Sequence, residues 1–237
     1  METERALDVS ASPAAGFLDP ARDMASPAAG ALHPSGVVAG PSSLAVGVIL
    51  ASVREGRRGE ALATWIAGLL AERPGVTAEI LDLRDWPLQV YARSVGTRVA
   101  EAQYEAEELE ARWMKKLTGL DAFVIVTPEF NHSYPGNLKN ALDIVSTPWN
   151  HKPVTFVSYG YSSAGARAVE QLRLVTIELR MIPIRDELNL PIGAYEADAQ
   201  GAPVDRAIVQ HAGRVIDELS WLGRLLKRGR AERQLAA

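Results

Sequence analysis

The chain has 237 residues, 47% hydrophobic and 23% charged, with 25 Lys and Arg against 29 Asp and Glu for a formal net charge of −4. That length buries one sizeable core, and the even charge balance leaves no broad basic field for nucleic acid. The absence of cysteine excludes disulfides, thiolate catalysis and thiolate-held zinc or iron–sulfur centres, and no apolar run of roughly eighteen residues offers a membrane span.

Residues 1–43 hold five of the fourteen prolines, Pro13, Pro20, Pro27, Pro34 and Pro41. Their even spacing comes from a duplication in which Ser12-Pro13-Ala14-Ala15-Gly16 recurs as Ser26-Pro27-Ala28-Ala29-Gly30. Prolines at that density remove backbone donors and interrupt any helix. Two copies are too few for a stacked repeat, so this stretch reads as a disordered tail ahead of one domain over 44–237. The opening Met1-Glu2-Thr3-Glu4-Arg5 lacks the basic and apolar regions of a secretory signal, and the expectation is a cytoplasmic protein.

From Leu44 onward apolar runs alternate with helical periods. Leu44 to Leu50 reads as a strand covered on both faces. Ala61 to Arg73 carries Leu62, Trp65, Ile66, Leu69 and Leu70 on one helical stripe and stops at Pro74-Gly75. Val76 to Leu83 reads as a second strand, and Arg98 to Thr118 as one amphipathic helix with Leu109, Trp113 and Leu117 along a face. Ala122 to Val126 is a third strand and Leu138 to Val145 opens a helix. Val154 to Ser158 is a fourth strand, with a helix over Ala164 to Leu179. A fifth strand over Ile182 to Ile192 contains two prolines, which places it near an edge. A final helix is striped from Val204 to Leu226. Its terminal Arg224, Lys227, Arg228 and Arg230 read as a solvated end that suits the helix dipole. Strands alternating with helices specify a doubly wound five-stranded parallel sheet with helices on both faces. Ligands of such α/β sheets bind beyond the carboxyl ends of the strands, which selects the loops after strands one, three and four.

The first loop, Ala51 to Glu60, offers the Ser52 hydroxyl, two glycines, a helix N-terminus and three arginines, Arg54, Arg57 and Arg58. That donor set suits a phosphate. It matches neither the Walker A loop nor the dinucleotide glycine fingerprint. The second loop runs Thr127-Pro128-Glu129-Phe130-Asn131-His132-Ser133-Tyr134-Pro135-Gly136-Asn137-Leu138-Lys139-Asn140-Ala141-Leu142-Asp143. It resembles the Pro-Glu-Tyr-Asn-x-Ser-x-Pro-Gly-x-Leu-Lys-Asn-Ala-x-Asp signature of NADPH-dependent FMN reductases, with Phe130 in the Tyr position. The first loop is similar to that family's Ser-x-Arg-x-Gly-Arg phosphate loop, with Ala51 where a Gly or Ser is usual.

The resemblance implies a flavodoxin-like fold with strand order 2-1-3-4-5 and FMN lying across the strand ends. It places the FMN phosphate at Ser52, Arg54, Arg57 and Arg58, and the flavin ring along Pro128, Glu129, Phe130 and Asn131. The third loop, through Tyr159 and Gly160, would pack on the pyrimidine end, with Gly160 and Gly165 permitting close approach to a flat ligand. NAD(P)H is then the hydride donor and a quinone, flavin, azo or nitro compound, or metal ion the acceptor. No catalytic acid or base and no metal ligand is implied, and relatives of this kind are homodimers or homotetramers. Leu138, Ala141, Leu142 and Val145 read as helix core and His132 as a solvated loop residue.

Two other readings arise from the residues. Gly160-Tyr161-Ser162-Ser163-Ala164 is a near miss to the Gly-x-Ser-x-Gly elbow of a serine hydrolase, with Asp186 or Asp198 and His211 following in hydrolase order. Against it, Ala164 replaces the second glycine and His211 falls inside a helical stripe. The other is a non-catalytic flavodoxin-like electron carrier; a phospho-receiver is excluded because its first loop would be acidic.

Overall fold

The computed structural model describes residues 43–105 and 108–235, so the tail reading of 1–43 and its duplication lie outside the described residues but for Ser43. The elements are β1 Leu44–Leu50, α1 Gly59–Ala71, β2 Val76–Asp82, α2 Thr97–Glu101, α3 Leu109–Thr118, β3 Ala122–Pro128, α4 Gly136–Asp143, β4 Pro153–Gly160, α5 Ala166–Glu178, β5 Ile182–Pro183, β6 Leu188–Pro191 and α6 Arg206–Leu235. The strands form one sheet in the order β2-β1-β3-β4-β5, every pairing parallel. β6 also pairs with β4, filling farther along the same edge the position that β5 begins.

The expected fifth strand is thus two short ones. Between them Arg173 donates to the carbonyls of Ile184 and Arg185, and Thr155 Oγ1 donates to Asp186 O. Those carbonyls bond side chains instead of continuing the ladder.

The largely apolar strands β1, β3 and β4 feed two cores, one per sheet face. Leu44, Val46, Val48 and Leu50 of β1 pack with Leu62, Ile66 and Leu70 of α1 and Val215, Ile216 and Leu219 of α6. Ile49 joins Trp113 and Leu117 of α3, Leu138 and Leu142 of α4 and Leu172 of α5 on the other side. Successive strand side chains point to opposite faces, so strands with apolar side chains on both faces demand helices on both. Two buried indoles fix α4: Trp113 Nε1 donates to Ala141 O at 2.9 Å, and Trp149 Nε1 to Leu142 O at 3.0 Å. The helix that carries the long motif is therefore held from behind by the core.

The expected single helix over 98–118 is broken into α2 and α3. Glu101 ends α2, 9% exposed, with its carboxylate accepting from the backbone N–H and hydroxyl of both Ser146 and Thr147. A buried carboxylate requires such donors, and that demand overrides helical periodicity. The basic end of α6 also departs from expectation. Lys227 Nζ and Arg230 Nη2 reach Asp121, at 2.8 and 3.0 Å, and Asp121 also accepts from Ala45 N at 3.0 Å. Arg224 donates to Pro74 O. Three of the four cations therefore fasten α6 under the sheet, while Arg228 stays exposed. Among the described residues no helix is long and apolar enough to cross a membrane.

Candidate functional site

The carboxyl ends of β1, β3 and β4 open onto one cleft of about 500 Å³, a volume suited to a small molecule. All ten residues selected from the sequence line it, although they come from three loops spread along more than a hundred residues of chain. Their roles in the geometry differ from one another.

The loop between β1 and α1 turns at Gly56, whose φ is +62°, a conformation glycine adopts without penalty. Gly59 begins α1, and a Cβ there would lie 2.8 Å from both Leu50 Cδ1 and Tyr159 Oη. Glycine alone lets the helix start this close to the sheet. No side chain caps α1, so its first N–H groups stay available to an anion. Arg54 and Arg58 are exposed and make no ion pair among the described residues; the Arg54 guanidinium sits 5.7 Å over the Phe130 ring.

Arg57 is different. Its side chain is 3% exposed and grips Asp82 at the end of β2 through both terminal nitrogens, with Nη1–Oδ1 at 2.6 Å. The same Nη1 donates to Ser52 O at 2.7 Å. The bond to Asp82 holds the Arg57 pKa above its ordinary value. Burial pulls the Asp82 carboxyl upward, but Arg57 and the Arg84 amide outweigh it and the net shift is down. Arg57 therefore shapes the loop from behind; it is not a free cation in the cleft.

The second loop is a tight turn. Phe130 and Ser133 exchange backbone hydrogen bonds of 2.7 and 3.1 Å, and Asn131 and His132 between them have φ of +49° and +75°. Two successive positive φ values are the mark of a type I′ turn, and Asn and His are among the non-glycine residues that tolerate them. Glu129, 7% exposed at its side chain, receives Ser163 Oγ and Arg167, with Nε at 2.6 Å. Burial raises its pKa, yet Arg167 and Ser163 prevail and hold the carboxyl below its usual range. Gln171 donates to His132 O at 3.0 Å, and Ser133 Oγ donates to Gln171. Helix α5 thus clamps the turn at two points. Farther along the motif, Asn137 donates to Ala51 O at 2.7 Å, and Asn140 accepts from Tyr91 N and donates to Leu88 O and Gln89 O. As expected, Leu138, Ala141, Leu142 and Val145 are core.

The third loop turns back onto the rest of the fold. Gly160 and Gly165 pack on the protein itself: a Cβ on Gly160 would be 3.0 Å from Gly165 N, and one on Gly165, at φ +90°, 2.6 Å from Ser158 Cβ. Tyr159, 5% exposed, sends its ring into the core beneath the first loop, so its hydroxyl faces Gly59 and Ser52. Burial pushes the Tyr159 phenol above its ordinary pKa, against the opposing pull of the Gly59 amide, Ser52, Arg57 and Arg54. Its oxygen is buried and lacks a partner of hydrogen-bonding geometry among the described residues. A buried hydroxyl without a partner is costly. Beside an uncapped helix N-terminus and the unpaired Arg54 and Arg58, such a donor suits an anion, and this donor set fits the phosphate of a flavin nucleotide.

The serine-hydrolase constellation does not assemble. Ser162 lies on the cleft, whereas His211 Nε2 is 2.9 Å from Glu187 O and lines a separate depression with Asp186; Asp198 accepts from Gln200 N and Ala202 N in another turn. Sequence reasoning also missed Arg167, Tyr161 and Ile192 in the cleft. Arg167 and Tyr161 follow the third strand-end loop closely enough for proximity to have suggested them, but Ile192 reaches the cleft only because β6 pairs with β4.

Comparison with known proteins gives consistent matches. The model of the NADPH-dependent FMN reductase family matches residues 44–194. An NAD(P)H-dependent FMN reductase of Schizosaccharomyces pombe is 36% identical over 146 residues, 61% of this chain and 72% of that protein. A quinone reductase of Pseudomonas putida is 32% identical over 126 residues, 51% of this chain and 62% of that protein. The fold is shared with the NAD(P)H:(acceptor) oxidoreductase FerB of Paracoccus denitrificans, with a TM-score of 0.63 and 22% identity over 76% of this chain and 97% of that one.

Proposed function

The chain belongs to the NADPH-dependent FMN reductase family, and from that premise we propose that it is an FMN-dependent NAD(P)H oxidoreductase that reduces a small acceptor of the quinone type. The observation that carries this reading is the single cleft in which the arginine loop, the Pro128 turn and the orphaned Tyr159 hydroxyl converge. In it, Arg54, Arg58, Ser52 and Tyr159 hold the phosphate with the first amides of α1. The backbone of Pro128, Glu129, Phe130 and Asn131 lies along the ring, and the Glu129–Arg167 pair keeps that backbone in place. Arg57 and Gly160 act indirectly, by shaping their loops. FMN held there would supply the two-electron redox chemistry between NAD(P)H and the acceptor. The protein's part is binding and orientation, and no side chain is asked to move a proton. Exposed Tyr161 at the cleft rim leaves room for nicotinamide and acceptor to enter in turn.

The same reading takes residues 44–237 as the FMN-binding domain and residues 1–43 as a separate tail. It takes the protein as cytoplasmic, where reduced nicotinamide is generated, and as a homodimer or homotetramer. The test is the visible spectrum of the purified protein, followed by NADH and NADPH oxidation with a panel of quinone, flavin, azo, nitro and metal-ion acceptors. A yellow protein with acceptor-dependent turnover is expected. Colourless protein that binds no added FMN refutes the reading, and flavin binding without turnover reduces it to an electron carrier.

A further inference from the structure

The phosphate loop owes its shape to Arg57 and to two residues outside every motif noted in the sequence, Asp82 and Arg84. Asp82, the last residue of β2, binds Arg57 through both oxygens and accepts from Arg84 N at 2.9 Å. The two arginines that it orients take three successive carbonyls of the loop. Arg57 Nη1 donates to Ser52 O at 2.7 Å, Arg84 Nε to Val53 O at 3.2 Å, and Arg84 Nη2 to Arg54 O. In a planar trans peptide the carbonyl and the following N–H point in opposite directions. Drawing these carbonyls toward β2 therefore turns the N–H groups of Val53, Arg54 and Glu55 the other way, where the Arg54 N–H also meets the Ser52 hydroxyl at 3.4 Å. The sheet order is β2-β1-β3-β4, and the cleft lies at the ends of β1, β3 and β4, so the other way is toward the cleft. A row of converging amides is an anion-binding concavity.

We propose that Asp82, acting through Arg57 and Arg84, is a positioning residue for FMN: it presets the first loop as a row of amide donors for the phosphate and spends Arg57 on that task. The inference rests on the oxidoreductase reading and deepens it, because Asp82 and Arg84 would govern selection of the phosphorylated flavin without touching it. Breaking the brace lets the carbonyls rotate back, so affinity is lost for the phosphate end alone.

The experiment titrates FMN and riboflavin, the same ring without the phosphate, into apoprotein of the wild type, Asp82→Asn and Arg84→Met, following flavin fluorescence. Asp82→Asn should weaken FMN binding at least tenfold and Arg84→Met several-fold, with riboflavin affinity within twofold of wild type in both. A merely structural role would depress both ligands together, and that result overturns the proposal. So does FMN affinity within twofold of wild type. Arg84 is exposed, so Arg84→Met decides the matter if Asp82→Asn fails to fold. Wild type that binds neither flavin sinks the oxidoreductase reading and the brace with it. Wild type that binds FMN while both variants match it sinks the brace alone.

Discussion

Replacing Arg54 with alanine separates cofactor binding from folding. The side chain is exposed and has no ion pair among the described residues, and its guanidinium lies 5.7 Å over the Phe130 ring. An exposed cation–π contact is worth about 0.5–1 kcal/mol, so the unfolding free energy of the apoprotein should fall by no more than that. Toward a bound phosphate the same guanidinium makes a charge-assisted hydrogen bond of about 1.5–3 kcal/mol. At about 1.4 kcal/mol per tenfold, the FMN dissociation constant should rise roughly 10- to 150-fold. Added salt should narrow the gap, because the pair is screened. Fluorescence titration of apoprotein at two ionic strengths measures the affinity, and urea denaturation the stability. FMN affinity within twofold of wild type at low salt would refute the assignment of Arg54 to the phosphate.

Other consequences follow from the same geometry. Gly165→Ala puts a Cβ 2.6 Å from Ser158 Cβ and 2.8 Å from Tyr159 N at a φ of +90°; strain and overpacking together should cost about 2–4 kcal/mol in urea denaturation, and an unchanged midpoint would show that the β4–α5 turn yields. Glu129→Gln breaks the pair with Arg167 and should cost about 1.5–3 kcal/mol near neutral pH. Because the folded carboxyl titrates below its ordinary value, this wild-type advantage is full above about pH 4.3 and vanishes as pH falls through the folded pKa; an advantage that persists in strong acid contradicts it. Lys152 is 6% exposed, donates to Leu117 O at 2.7 Å, and faces Asp121, Arg230 and the Phe123 ring. Burial lowers its pKa from 10.5 to about 8, with Arg230 adding to the shift and Asp121 opposing it. The unfolded chain then holds more protons between those values, so stability rises with pH across that window. Relative to Lys152→Met the wild type should gain on the order of 3 kcal/mol from pH 7 to 10.5, and parallel stability curves would refute it.

Much of the architecture was legible because it is local. Strands β1, β3 and β4 are predominantly apolar on both faces, and such runs need cover on both faces wherever they lie. The Pro128–Asp143 motif and the serine-arginine loop identify themselves by residue type and spacing, and parallel winding brings the strand ends that carry them to one side. What failed did so at bonds between distant residues. Nothing near Arg57 reveals that its partner is Asp82, and nothing near Tyr159 shows that its hydroxyl turns under the first loop. The break between α2 and α3, the division of the edge into β5 and β6, and the fastening of Lys227 and Arg230 to Asp121 have the same origin. Hydrophobic periodicity is carried by neighbours along the chain, so the sequence alone determined the layers and the strand-end loops. Buried charges and hydroxyls take whichever partner the completed fold sets beside them, so only the tertiary structure decided which arginines face the cleft and which hold its walls.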